Sequence, residues 1–247
     1  SYALPEGFTK KQVLANLDQA TAIRFAPKDS RVFVAEKDGA IRVFDSINDT
    51  TSDLVYQIDN VHTNTDHGLL GLAIHPDFPQ TPFIYALYSR RVGSPGAHLS
   101  KITVENGVGV SEEILIQGWC QQSTSHAIGD LQFGPDGALY VTSGDGASPS
   151  FVDVGPDGCG DPNMEGGAVR VQDFRTEGDG LDFNGTLLRL DPITGQAMPG
   201  NPLFGAQGPE GASRSRVIAY GLRNPFRFTI HPETSALYIA DVGWNQV

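Results

Sequence analysis

Basic residues are scarce in this sequence. It has 17 Lys and Arg against 29 Asp and Glu, a formal charge of -12 over 247 residues. A nucleic-acid partner calls for a basic face to meet its phosphates, so that class of function is excluded. Long apolar runs are missing as well. No stretch of about 18 apolar residues occurs, so no segment reads as a membrane span. Sustained helical periodicity is rare, while Gly 29 and Pro 16 favour short strands and turns. There are only 2 cysteines, Cys120 and Cys159, too few for a disulfide scaffold. They would suit one bond, and that bond would favour an oxidising compartment. The chain begins at Ser1 rather than Met, as a processed exported protein does, and a secreted or periplasmic location is expected.

The sequence does contain a repeat. The run from Ser125 to Val141 has a polar residue, a short apolar alternation, a Pro-centred turn and a second β-rich run. The same layout recurs at Ala22–Ala35, Gly68–Leu87 and Asn224–Ala240, with turn prolines Pro27, Pro76, Pro135 and Pro232. Strand-turn-strand units recurring at roughly 50 residues or more predict a radial array of antiparallel sheets, a β-propeller. Four repeat starts correspond to about three blades and the opening of a fourth. Since a propeller must close to protect its sheet edges, further blades or another chain would be needed to complete it.

The register of the repeat also points to a site. Nine residues before each turn proline stand Asp18, His67, His126 and Arg223. With the first strand of each blade innermost, these positions converge on one concave site at the channel.

The first blade is expected to pair Arg31–Glu36 with Ala40–Phe44 through a Lys37-Asp38-Gly39 hairpin, with Tyr56–His62 as its outer or bridging strand. Strands are also expected at Phe83–Ser89, Leu99–Val104, Glu112–Gln117, Gly185–Leu190 and Arg216–Tyr220. Between Ser143 and Asp182 the pattern breaks into a glycine-rich, acidic insertion of roughly 40 residues, a length that is usually functional. Its carboxylates are candidate Ca²⁺ ligands, although no twelve-residue cation loop is present.

Several ordered motifs resemble the soluble sugar dehydrogenases that use pyrroloquinoline quinone (PQQ), the glucose/sorbosone dehydrogenase superfamily. They are Asp66-His67-Gly68-Leu69-Leu70-Gly71-Leu72-Ala73-Ile74-His75-Pro76-Asp77-Phe78, Gly185-Thr186-Leu187-Leu188-Arg189-Leu190-Asp191-Pro192, Tyr220-Gly221-Leu222-Arg223-Asn224-Pro225 and Asp241-Val242-Gly243-Trp244-Asn245. The resemblance implies an all-β, six-bladed propeller, with residues 1–247 as the N-terminal part of one domain. It further implies an exported aldose dehydrogenase that passes hydride from sugar C1 to PQQ and then electrons to an acceptor. His126 is implied as general base, Arg223 as catalytic cation and quinone contact, and Asn224, Asp66 and His67 as cofactor neighbours. The main-chain oxygens of Gly243 and Trp244 are implied as Ca²⁺ ligands. Two positions depart from the pattern: Asp66 replaces a Gln and Ser125 replaces an Asp. A carboxylate at position 66 would repel an anionic cofactor unless a cation intervened. The alternative is a non-catalytic recognition propeller on the same fold.

Overall fold

The computed structural model describes residues 4–91, 96–121, 124–148, 183–207 and 211–243. Among them the fold is all-β, with one six-residue helix, α1 (Gly211–Arg216). The strands of the first sheet are β1 (Ala20–Phe25), β2 (Val32–Glu36), β3 (Ala40–Phe44) and β4 (Asp53–Gln57). The second sheet has β5 (Leu69–Ile74), β6 (Phe83–Arg90), β7 (Gly96–Glu105) and β8 (Val108–Cys120). The third has β9 (Ile128–Phe133), β10 (Leu139–Ser143), β11 (Thr186–Leu190) and β12 (Val217–Tyr220). A hairpin of β13 (Pro225–Ile230) and β14 (Leu237–Asp241) follows. Each four-stranded sheet is an antiparallel meander in chain order. First strands neighbour one another in sequence, β1 beside β5, β5 beside β9 and β9 beside β13. That layout is propeller-like, with the first strand of each sheet innermost.

The turns act as their prolines indicate. Gly134-Pro135-Asp136-Gly137 closes with the Gly137 N–H donating to Gly134 O at 3.0 Å, a turn for which Pro at the second position is pre-set. The Lys37-Asp38-Gly39 hairpin closes at 3.0 Å from Gly39 N to Glu36 O, and Gly39 has φ +107°, a conformation that favours glycine. The segment expected as the outer or bridging strand of the first sheet divides: only the end of Tyr56–His62 bridges, and the outer strand is Asp53–Gln57. Val55 faces the core from this strand, while Val61 and His62 bond across to Arg90 and Ser89 of the next sheet.

The core lies between adjacent sheets. One cluster joins Phe33, Ile41 and Val55 to Leu72, Ile84 and Tyr88; the next joins Tyr85, Leu87 and Leu99 to Leu131, Val141 and Leu188. Strand β6 divides its side chains by simple alternation, Ile84, Ala86 and Tyr88 to the first cluster and Tyr85 and Leu87 to the second. Strand β5 sends Leu69 and Leu72 one way and Leu70 and Ala73 the other. An irregularity between Leu69 and Gly71 shifts its parity by one. With both faces covered, β5 has no exposed residue, and each large side chain buried there stabilises the fold by about 1.5–3 kcal/mol.

Polar side chains tie the inner strands together. Arg24 of β1 reaches Asp130 of β9 at 2.5 Å. Arg227 of β13 donates to Thr21 O of β1 at 2.8 Å, and Gln132 of β9 donates to Phe228 O of β13.

Candidate functional site

The four register residues are held by one device. In each case a polar side chain at or just beyond the end of the second strand takes hold of the residue that leads into the first strand. Glu36 accepts the Asp18 backbone N–H at 2.6 Å, and Asp241 accepts the Arg223 N–H at 3.0 Å. In the two middle sheets the imidazole itself is held. His67 Nδ1 shares a hydrogen bond with Ser89 Oγ at 2.9 Å, and His126 Nδ1 lies 2.8 Å from Asp145 Oδ1.

The His126–Asp145 pair is buried, with side-chain exposures of 5% and 2%. A carboxylate only accepts, so Nδ1 carries the proton and Nε2 remains as the basic nitrogen. Asp145 is itself fixed, because Oδ1 also accepts the Ala147 N–H at 2.9 Å. The same residue connects His126 to Arg223, since the Asp145 backbone N–H donates to Arg223 O at 2.8 Å. Gly144 is packed so closely on the carbonyls of His126 and Ala127 that any side chain would displace the histidine backbone. His126 has φ +51°, the left-handed region, which is sparsely populated by residues other than glycine.

Asp66 and His67 lie on the loop into β5. Asp66 Oδ2 accepts the His126 backbone N–H at 3.0 Å. The ring of His67 is tilted 42° to that of His62 with 4.6 Å between centroids. Burial, and then the charge of Arg91, hold the His62 pKa below the usual histidine value. Asn224 is anchored by its N–H to Asp241 Oδ1 at 2.6 Å. Arg223 Nη1 donates to Val242 O at 2.8 Å and to Gly243 O at 3.2 Å. Two main-chain carbonyls therefore converge on a positive group, the donor chemistry that a hard cation also selects. Trp244 and Cys159, and the insertion beyond Ser148, lie outside the described residues. Among the described residues no three His, Cys, Asp or Glu side chains come together as a metal cluster, and no helix is long and apolar enough to cross a membrane.

The structure thus links Asp66, His126, Arg223 and Asn224 through one set of hydrogen bonds at the leading ends of the inner strands, with His67 next to Asp66 in the chain and held separately by Ser89. The residue that sequence reasoning missed is Asp145. It lies in Ser143-Gly144-Asp145-Gly146, where the glycines read as the start of an insertion. An acid at or directly after the end of a second strand, as also at Glu36 and Asp241, was the signal available.

The glucose/sorbosone dehydrogenase family model matches residues 17–246, and the chain belongs to that family. It is 27% identical to mouse Hedgehog-interacting protein, over 90% of this chain and 32% of that protein. It is 25% identical to quinoprotein glucose dehydrogenase B of Acinetobacter calcoaceticus, over 95% of this chain and 48% of that protein. A solved glucose dehydrogenase-type oxidoreductase of Thermus thermophilus superposes with TM-score 0.71 at 29% identity, covering 93% of this chain and 59% of the other. The chain therefore spans 32% and 48% of the lengths of these two curated relatives.

Proposed function

We propose that this chain is part of an exported PQQ-dependent aldose dehydrogenase, with six blades of which these residues form about three and the opening of a fourth. The observation that carries the proposal is the buried His126–Asp145 pair joined through Asp145 to Arg223. Bound PQQ would supply the hydride acceptor. As hydride leaves the sugar C1, Nε2 of His126 takes the proton of the C1 hydroxyl, and the carbon becomes a carbonyl. Asp145 stabilises the imidazolium that forms and holds the ring in one tautomer. Arg223 and Asn224 would hold the cofactor oxygens, Arg223 countering negative charge as it grows there. His67 would border the same space. The Gly243 carbonyl, with that of Trp244, would hold Ca²⁺ once Arg223 turns from it to the cofactor. A sugar and an electron acceptor are the partners.

We also propose that Cys120, the last residue of β8, is bonded to Cys159, closing a loop of about 40 residues worth roughly 3–4 kcal/mol of chain entropy. Asn184 Nδ2 donates to Cys120 O at 2.7 Å, which sets the far end of the insertion beside this cysteine. Thiol titration of the unfolded, unreduced protein should find none; two would refute the bond.

The identity to a protein named for its interaction with Hedgehog favours a second reading, a recognition propeller that binds a protein partner. Dye reduction with added PQQ, Ca²⁺ and a panel of aldoses decides between them. Turnover with at least one aldose is expected. Failure both to bind PQQ and to reduce dye would leave the recognition reading.

A further inference from the structure

We infer that Asp66 is a positioning residue for His126, with its carboxylate serving as the clamp on a strained backbone rather than as a contact for the cofactor. The left-handed φ of +51° at His126 is a conformation that residues other than glycine adopt only at a cost. Something around it must impose that geometry. The Asp145 side chain fixes the ring but not the backbone, and the His126 N–H has Asp66 Oδ2 as its acceptor at 3.0 Å. A carboxylate accepting a backbone amide makes a charge-assisted bond, stronger than one between neutral groups.

Two further bonds lock the clamp itself. The Asp66 N–H donates to Thr124 O at 3.1 Å, and Thr65 Oγ1 donates to the same carbonyl. Lys37 Nζ in turn donates to Thr65 O at 2.6 Å. The loop into β5 is thereby bound to the turn that carries His126, across 60 residues of chain. The clamp also accounts for a carboxylate so near a cofactor-binding space, because its charge is directed at an amide of the protein. A Gln or Asn side chain offers the same amide a carbonyl oxygen, so what this position requires is an acceptor.

The inference rests on the dehydrogenase reading only for what His126 does, so the test has one arm that needs no activity. Backbone hydrogen exchange at the His126 amide is measured in the protein and in Asp66→Ala and Asp66→Asn. Loss of the acceptor should speed exchange in Asp66→Ala by about 10- to 100-fold, and Asp66→Asn should stay within a few-fold of the parent. In the protein loaded with PQQ and Ca²⁺, Asp66→Ala should lower kcat by about tenfold or more with the PQQ Kd within about twofold, and Asp66→Asn should restore most of kcat. Unchanged exchange in Asp66→Ala overturns the inference. So does a PQQ Kd raised tenfold with kcat kept, which would make Asp66 a direct cofactor contact. If the parent shows no turnover, the dehydrogenase reading fails and the exchange arm alone decides the clamp. If Asp66→Ala does not fold, exchange and kcat in Asp66→Asn decide it, and loss of both there overturns it.

Discussion

His67 and His126 occupy the same register in neighbouring sheets, both buried and both held at Nδ1, yet they are not equivalent chemically. At Nδ1, His67 meets a hydroxyl, a group that can donate or accept and does not itself fix the proton there. The partner of His126 is a carboxylate, which fixes the proton on Nδ1 and stabilises the ring when Nε2 gains a second one. Position in the repeat brings an imidazole to the site. Under the proposed function, the residue at or just beyond the end of the second strand is what separates a base from a bystander.

The sharpest break of this comparison is His126→Ala. If the protein acts as the proposed dehydrogenase, this change should lower turnover by about 10²–10⁴-fold with PQQ binding largely intact, the size of a lost general base. A fully active variant would remove the mechanism. Asp145→Asn comes next, since an amide can donate to Nδ1 and reverse the tautomer; kcat should fall by about 100-fold or more while PQQ affinity changes little. His67→Ala should cost less than about tenfold in kcat, with any larger share appearing in KM or PQQ Kd. Equal losses at the two histidines would abolish the distinction drawn from their partners.

The smallest expected effect lies away from the site, at the Asp136 turn. Burial there works against the charged carboxylate, but the bond from Arg189 at 2.8 Å, the Ala138 N–H and the Tyr140 hydroxyl outweigh it and lower the pKa. A lowered folded-state value contributes stability that is present above the unfolded value and is lost as pH falls through the folded one. Acid unfolding below the ordinary Asp value of 3.8 should therefore be less steep in Asp136→Asn, as followed by circular dichroism between about pH 5 and 2.

What the sequence made legible were the features whose signals are local. Pro135 followed by Asp136-Gly137 is a turn in four residues, and the β-prone apolar run of Phe83 to Ser89 marks a strand. The register of His126 and Arg223 could be counted from those turns. The partners could not. Asp145 follows its strand by two residues, but it meets His126 from 19 residues away, and Asp66 does so from 60. Glycines around Asp145 resemble loop, and nothing local marks Asp66 as an acceptor for an amide. Nothing local separates the outer from the bridging role of Tyr56–His62; pairing with β3 takes Asp53–Gln57, and Val61 and His62 bridge to the next sheet.

The bond from Arg227 to Thr21 O, spanning 206 residues, has a consequence for how the protein is made. A ribosome delivers β1 first and β13 far later. At about 5–20 residues per second, the interval is on the order of ten to forty seconds. Each sheet is a meander of consecutive strands and can complete itself as it emerges, the first two through short loops and the third across the long insertion between β10 and β11. The attachment of β13 to β1 must wait for the 206 residues between them. Until then the first sheet stands without the donor that Arg227 brings to the carbonyl of Thr21, so this tie forms only after the three sheets that precede β13 have been delivered.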